Sequence, residues 1–409
     1  MAVLVFAGAI CYTVFIARLP KGNGEEGCKS LTVPPLLESE CRAFASEEFT
    51  MYGFAMNSLF LRRFAGALCF VFLSSFACAV SFTDALNRTV SVENPKKVAV
   101  LQGSLAAVWK SAGGTVSCAT GDAFIEPPAM SAEKADELNR TWHVSCFSTH
   151  GAGVVSEADG VQNVGTMMNP NTELLLAGGA DFVILSANIS GHKKLLPLLE
   201  AAKIPCAFFE LETFSDYLFM LKNCCAITGK NDLYRRNGTE IQKKCEKIIK
   251  DAQKSAKKSP QRVLLLRAFS TGASAKNSTN NMTGALLADL GALNIADSDR
   301  SLNEDLSLEK IIADDPDAIF VTTMGASEEK AVAGFRSKLA SSPVWNNLRA
   351  VENGRCYILP RELFHFKPSG EKWVDCYEIL ARVLYGNQEL SHGQFANAVR
   401  VENSTGGSE

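Results

Sequence analysis

One long amphipathic segment divides this chain into two similar halves. In NDLYRRNGTEIQKKCEKIIKDAQKSAKK, apolar side chains recur at three- and four-residue steps from Leu233 to Ala256. A helix of about 25 residues spans about 38 Å, which is long enough to cross two small domains. Gly238 is the weak point of the pattern, because glycine lowers helix propensity. The chain must therefore fold into one compact unit on each side of a stiff connection.

Short apolar runs alternate with amphipathic helical patterns on both sides of this helix, as in parallel sheets covered by helices. The strand-like runs are VAVL, FVILS and CAFFE before it, and RVLLLRAF, AIFVTT and CYILP after it. The sequence predicts an α/β fold with two Rossmann-like lobes and a single backbone helix. We place the N-terminal lobe at 80–229, the helix at 230–258, the C-terminal lobe at 259–390 and a polar tail at 391–409.

A secretory signal precedes the first lobe. RRFAGALCFVFLSSFACAV contains a basic pair, an apolar run and the small-residue site Ala77-Cys78-Ala79. We expect residues 56–79 to be a signal peptide and the exported chain to begin near Val80. Residues 1–55 are then either a mis-assigned start or an extra membrane segment. Lipidation of Cys78 is an alternative that would anchor the protein.

Charge and cysteine spacing restrict the possible partners. The formal net charge is -3 and the strongest basic stretch is the face of the long helix, which argues against nucleic acid. The chain has 13 cysteines, but no repeated metal-type Cys-x-x-Cys pair that would indicate zinc. We expect reduced core cysteines after the signal, while disulfides remain open for an exported protein.

Three motifs in the two lobes resemble one known family. They are TDALNRTVSVENPKKVAVL, which predicts a hairpin with Asn87 in its turn, NPNTELLLAGGADFVILS and LSLEKIIADDPDAIFVTT. In this order they are similar to the substrate-binding proteins of ABC importers for iron-siderophore, haem and cobalamin complexes, the class III periplasmic binding proteins. The resemblance covers residues 82–386. It departs from the family pattern at Asn87 and at Gly179-Ala180.

This resemblance implies a monomeric, non-enzymatic receptor without a cofactor of its own. Such a protein captures an iron- or cobalt-containing chelate, an iron complex first of all, and delivers it to an ABC permease and its ATPase. It would work in the periplasm or anchored to the outer face of the cytoplasmic membrane. In the family, a glutamate in each lobe meets permease arginines, and Glu173 and Glu309 occupy these positions. Carboxylates there also stabilise a helix without any partner.

Polar residues after the strands predict where the ligand binds, because α/β folds bind ligands outside the carboxyl ends of strands. The segment LPRELFHFKPSGEKW combines cations, a histidine and aromatic rings, which suit an anionic or ring-bearing chelate. Packing of this loop on the last helix is the alternative. The predicted ligand-binding residues are Gln102, Ser104, Thr120, Asp122, Ser186, Arg267, Asn281, Met324, Arg361 and His365.

Three other functions stay open from the sequence. A receptor for free zinc or manganese would need converging ligands, for which His150, Asp122 and His365 are the best set. A hydrolase or redox enzyme is a second class, although the chain lacks Gly-x-Ser-x-Gly, Walker and His-Glu-x-x-His motifs. A surface adhesin or sensor on the same fold is the third.

Overall fold

The computed structural model describes residues 2–4, 15–17, 79–124, 133, 154–279, 281–298, 301–302, 306–325, 327–365 and 367–386. The chain divides into two units, Met1–Ser75 and Phe76–Glu409. The first contains β1 (Ala2–Leu4) and β2 (Phe15–Ala17), which pair antiparallel. The predicted signal peptide, apart from its last residue, and the predicted tail lie outside the described residues and stay predictions. Among the helices described, none has the length and apolar character needed to cross a membrane.

The second unit opens with the predicted hairpin, formed by β3 (Val80–Thr83) and β4 (Thr89–Val92). The buried carboxylate of Asp84 holds its turn by accepting hydrogen bonds from the backbone N–H groups of Leu86 and Arg88, both at 3.0 Å. It also accepts one from the Arg88 guanidinium at 2.6 Å. Asn87 has a φ of 59°, a left-handed conformation that asparagine tolerates. The TDALNR motif therefore has a structural role.

The N-terminal lobe is a five-stranded sheet of order β7-β6-β5-β8-β9 in which all neighbours are parallel. Its strands are β5 (Val98–Val100), β6 (Cys118–Ala119), β7 (Gln162–Asn163), β8 (Phe182–Ser186) and β9 (Cys206–Phe209). Its helices are α1 (Gly103–Ser111), α2 (Thr172–Ala177), α3 (Ser190–Lys193), α4 (Leu196–Ala201) and α5 (Phe214–Thr228), with 3-10 turns at Gly121–Ala123 and Glu157–Asp159. β8 is buried along its whole length because helices cover both faces.

The predicted long helix is present between the sheets. It consists of α6 (Asn231–Tyr234), a π-helical turn (Arg235–Thr239) and α7 (Glu240–Lys258). The π turn contains Gly238, where a Cβ atom would lie 2.9 Å from the Tyr234 ring and 3.3 Å from Leu221. Glycine at this point lets the backbone helix pack closely against α5, which explains a residue that helix propensity disfavours.

The C-terminal lobe has a second five-stranded sheet, of order β11-β10-β13-β14, with β12 also paired to β10. Its strands are β10 (Arg262–Phe269), β11 (Gly272–Ala275), β12 (Leu293–Asn294), β13 (Ala318–Thr323) and β14 (Cys356–Ile358). β11 alone runs antiparallel to its neighbour. The helices are α8 (Met282–Asp289), α9 (Ile295–Ser298), α10 (Leu308–Asp314), α11 (Glu328–Phe335), α12 (Arg349–Glu352), α13 (Arg361–Phe364) and α14 (Lys372–Tyr385), with a π turn at Arg336–Ala340 and a 3-10 helix at Pro343–Asn347.

One hydrophobic core runs through both lobes. It joins buried residues of the two sheets to those of α5, α7 and α14. At its centre the Trp373 ring of α14 lies 5.3 Å from the ring of Phe214 and 5.7 Å from that of Tyr217, both on α5. The last helix of the C-terminal lobe therefore packs directly on the N-terminal lobe, and this contact reinforces the backbone helix.

The seven cysteines that the structure describes are all buried and free. Burial raises the pKa of Cys225 to about 11 and that of Cys245 to about 12. Thiols with such values stay protonated at neutral pH and react slowly. The interpretation as reduced core residues is confirmed for these seven.

Candidate functional site

Two contacts join the segment between α13 and α14 of the C-terminal lobe to the N-terminal lobe at the end of β9 and the start of α5. The Glu212 carboxylate, shortly after β9, forms an ion pair with the ammonium group of Lys367 from the C-terminal lobe. The Tyr217 hydroxyl on α5 accepts a hydrogen bond from the backbone N–H of Gly370 at 3.0 Å. The segment 367–371 of the C-terminal lobe thus lies against the N-terminal lobe, and we call the region between the two lobes at these contacts the cleft.

Arg267 is a charged residue at this cleft whose side chain has no partner among the described residues. Side chains alternate along β10, so Arg267 shares a sheet face with Val263 and Leu265, which pack into the core common to both lobes. It is half-buried, and no described residue forms a hydrogen bond or ion pair with its guanidinium. Burial lowers its pKa, and the Glu212 carboxylate acts in the opposite direction. A cation held in this way favours an anionic partner.

Arg361, the first residue of α13, and His365, which follows its last residue, form a unit. The Arg361 guanidinium donates through Nη2 to the carbonyl of Gly325 and lies 3.3 Å from His365 Nε2. His365 Nδ1 lies 2.9 Å from the carbonyl of Thr323, which can only accept, so this nitrogen carries the proton. Arg361 Nη1 is buried and has no hydrogen-bond partner among the described residues. It is a second donor suited to an anion.

Two lysines complete a group that we call the cationic cluster. Burial lowers the pKa of Lys276 and that of Lys367, and the nearby Arg267 charge lowers both further. The pKa of His365 is also lowered, mainly by burial, which keeps its ring neutral at pH 7. The cluster consists of Arg267, Lys276, Arg361 and Lys367.

The candidates around Asp122 form an internal network in the N-terminal lobe. Asp122 accepts hydrogen bonds from the backbone N–H of Gly103 and from the Thr120 hydroxyl, both at 2.6 Å. These bonds tie the start of α1 to the adjacent 3-10 turn. Gln102 and Ser104 flank this point and are half-buried. Both have side-chain surface left for a ligand.

Three predicted ligand residues are almost completely buried. Thr120, Ser186 and Asn281 are 0, 5 and 3 % exposed. The Ser186 hydroxyl accepts from the backbone N–H of Asn188 at 3.3 Å, and the Asn281 amide oxygen caps α8 by accepting from Gly284 at 3.1 Å. Their contact with a ligand stays a prediction, and local backbone bonds already explain these residue types. Met324, in contrast, is 40 % exposed at the end of β13.

The described residues contain no group of three or more His, Cys, Asp or Glu side chains that could hold a metal ion. His150 of the predicted metal set lies outside the described ranges. Within them, both ring nitrogens of His365 and both carboxylate oxygens of Asp122 have hydrogen-bond partners. The buried His192 is also engaged, with Nδ1 accepting from Ser186 N–H at 2.9 Å.

Glu173 and Glu309 occupy matching places in the two lobes. Each lies exposed in the first turn of a short helix, α2 and α10. Asn171 caps the first helix through a hydrogen bond from Leu174 N–H at 3.0 Å, and Ser307 caps the second through one from Lys310 N–H at 3.4 Å. Because Asn171 and Ser307 cap these helices, the carboxylates of Glu173 and Glu309 are not needed as caps. They are available to a partner.

Residues 98–363 match the family described as Periplasmic binding protein. The chain belongs to this family. Among curated proteins it is similar to the Fe(3+)-citrate-binding protein YfmC of Bacillus subtilis, with 26% identity over 205 residues. The match covers 49% of this chain and 60% of that relative, so it spans less than two thirds of the relative's length.

Solved structures of two Staphylococcus aureus proteins share the fold. SirA complexed with staphyloferrin B has a TM-score of 0.51 at 18% identity, over 76% of this chain and 97% of that one. IsdE complexed with heme has a TM-score of 0.52 at 13% identity, over 71% and 98% of the two chains. At these identities the likeness shows the fold alone. The predicted class III fold is confirmed.

Sequence reasoning missed three charged residues of the cleft, Lys276, Lys367 and Glu212. Lys276 follows β11, whose small residues GASA give no strand signal. Lys367 lies in the aromatic segment that the sequence singled out, but was not chosen. Glu212 comes two residues after the predicted strand CAFFE, and the strand-end rule applied there would have found it.

Proposed function

We propose that this chain is the substrate-binding component of an ABC importer and captures an anionic iron chelate between its lobes. The observation that carries the proposal is Arg267, a half-buried cation without a hydrogen-bond or ion-pair partner among the described residues. Burial of an unpaired charge costs free energy, and an anionic ligand would supply the missing partner. Arginine suits this role because its planar fork binds a carboxylate through two hydrogen bonds.

The chemistry of the cleft favours a chelate with carboxylate or similar oxygens. Arg361 adds a buried donor without a partner in the described part of the chain, and Lys276 and Lys367 add positive charge. Met324 offers an exposed apolar surface beside them. YfmC, by its name, binds ferric citrate, an anionic chelate of this kind. The iron would be cargo held by the chelate, and we propose a receptor rather than an enzyme.

The partners follow from the same role. A receptor of this family hands its cargo to a membrane permease driven by an ATPase, and we propose Glu173 and Glu309 as the docking residues. We further propose a monomer that is exported, either free in the periplasm or anchored to the outer face of the cytoplasmic membrane. The signal-like segment before Val80 supports export.

Removal of the two docking carboxylates should separate capture from delivery. In the double variant Glu173→Ala, Glu309→Ala, we expect uptake of radioactive ferric citrate by intact cells to fall by about tenfold or more, because two charge pairs with the permease are lost. The affinity of the purified variant for ferric citrate should change by less than about twofold, because neither residue belongs to the cationic cluster.

Glu157→Ala is the matched control, since it removes an exposed carboxylate from another short helical turn of the N-terminal lobe. It should leave uptake unchanged. Normal uptake by the double variant would reject the docking role. Unchanged uptake by cells that lack the whole chain would reject the importer function.

A further inference from the structure

Glu212 places a negative charge of the N-terminal lobe among the cations of the C-terminal lobe. One carboxylate oxygen accepts a hydrogen bond from the Asn188 amide at 3.2 Å, and the other forms the ion pair with Lys367. The two paired side chains are 28% and 21% exposed, so water reaches both partners. Glu212 also acts electrostatically on Arg267, whose pKa it raises against the effect of burial.

The backbone around Glu212 is held by hydrogen bonds and by packing of its neighbour. Its N–H donates to the Asp216 carboxylate at 3.0 Å, and that carboxylate also belongs to the capping box that Asp216 and Thr213 form at the start of α5. The preceding residue, Leu211, is buried in the core common to both lobes. A carboxylate on such a support stays at the cleft when its ion pair opens, because only side-chain torsions are free to change.

We infer that Glu212 is a resident counter-ion that competes with anionic ligands for the cationic cluster and thereby weakens their binding and speeds their release. This inference rests on the proposed function. A ligand carboxylate that binds Lys367 either displaces the Glu212 carboxylate from its ion pair or lies beside it, with two like charges close together. Both effects disfavour the bound state. A receptor that delivers its cargo needs such a limit on affinity, since an uncompensated cationic cluster would hold an anion for long times.

The test uses the full chain with Glu212→Gln. Glutamine has the same shape and keeps an oxygen for the Asn188 amide, but it removes the charge. We expect the dissociation constant for ferric citrate to fall about tenfold, mainly through slower dissociation in stopped-flow fluorescence. The dissociation constant for ferrichrome, an uncharged chelate, should change by less than about twofold, because no charge competes with Glu212.

Glu210→Gln is the matched control, since it makes the same change at an exposed glutamate two residues earlier. It should leave both dissociation constants within about twofold of wild type, because solvent surrounds the Glu210 carboxylate and screens its charge. If wild-type protein binds ferric citrate but Glu212→Gln binds it equally or more weakly, the counter-ion role is overturned and the proposed function stands. If wild-type protein binds neither chelate, the proposed function fails and this inference fails with it.

Discussion

Replacement of Arg267 by methionine is expected to weaken ferric citrate binding at least about 100-fold, a loss of about 2.7 kcal/mol or more, without lowering the stability of the fold. The Arg267 guanidinium is half-buried and has no partner among the described residues. Methionine fills similar space and removes the cost of the buried charge. Isothermal titration gives the affinity, and urea unfolding gives the free energy of unfolding.

Arg262→Met is the matched control because it changes the same residue type on the same strand. Arg262 lies at the amino end of β10 and pairs with Asp314 at 2.7 Å, on the exterior of the lobe. Its replacement should leave the affinity for ferric citrate within about twofold of wild type. Wild-type affinity in Arg267→Met would reject the cationic cluster as the ligand site. A large loss of stability would instead indicate a structural role for Arg267.

Trp373→Ala is expected to lower the free energy of unfolding by about 3–5 kcal/mol. The side chain is completely buried and its ring contacts Phe214 and Tyr217 of the opposite lobe. A loss of this size is a large share of the stability of a typical domain. Because the packing of Trp373 on Phe214 and Tyr217 sets the spacing of the lobes, we also expect the affinity for ferric citrate to fall about tenfold or more. Urea unfolding and titration measure the two effects.

Trp345→Ala separates these two effects. Trp345 is equally buried, but it packs against Phe335 in a core that belongs to the C-terminal lobe alone. We expect a similar loss of stability with little change in ferric citrate affinity, measured at a temperature where both variants are folded. Equal affinity in the two variants would show that the contacts of Trp373 with Phe214 and Tyr217 do not position the ligand-binding residues.

The elements with a strong periodic signal were predictable from the sequence. The hairpin at Val80–Val92, the buried strands and the long helix through Ala256 all appear as expected. β11 was not predictable from its apolar content, because its small residues form a strand only by pairing with β10. Gly238 was recognised as a weak point, but its close approach to Tyr234 depends on tertiary packing.

The candidate site was predictable only in part. The rule that ligands bind at the carboxyl ends of strands selects Arg267 and Arg361 as candidate ligand-binding residues. The same rule selected Ser186 and Asn281, whose side chains satisfy nearby backbone groups instead. The pairing of Glu212 with Lys367 joins residues 155 positions apart, and a single sequence contains no signal for such a contact.

A thermal-shift assay of the full chain tests most directly whether the cleft binds an anionic iron chelate. The panel contains ferric citrate, haem, cobalamin, ferrichrome, free zinc and free manganese. A ligand at 100 times its dissociation constant adds about 2.7 kcal/mol to the free energy of unfolding and raises the melting temperature by several degrees. We predict that ferric citrate or another anionic iron chelate raises the melting temperature and that the free ions do not. Stabilisation by free zinc or manganese alone would contradict the proposed function.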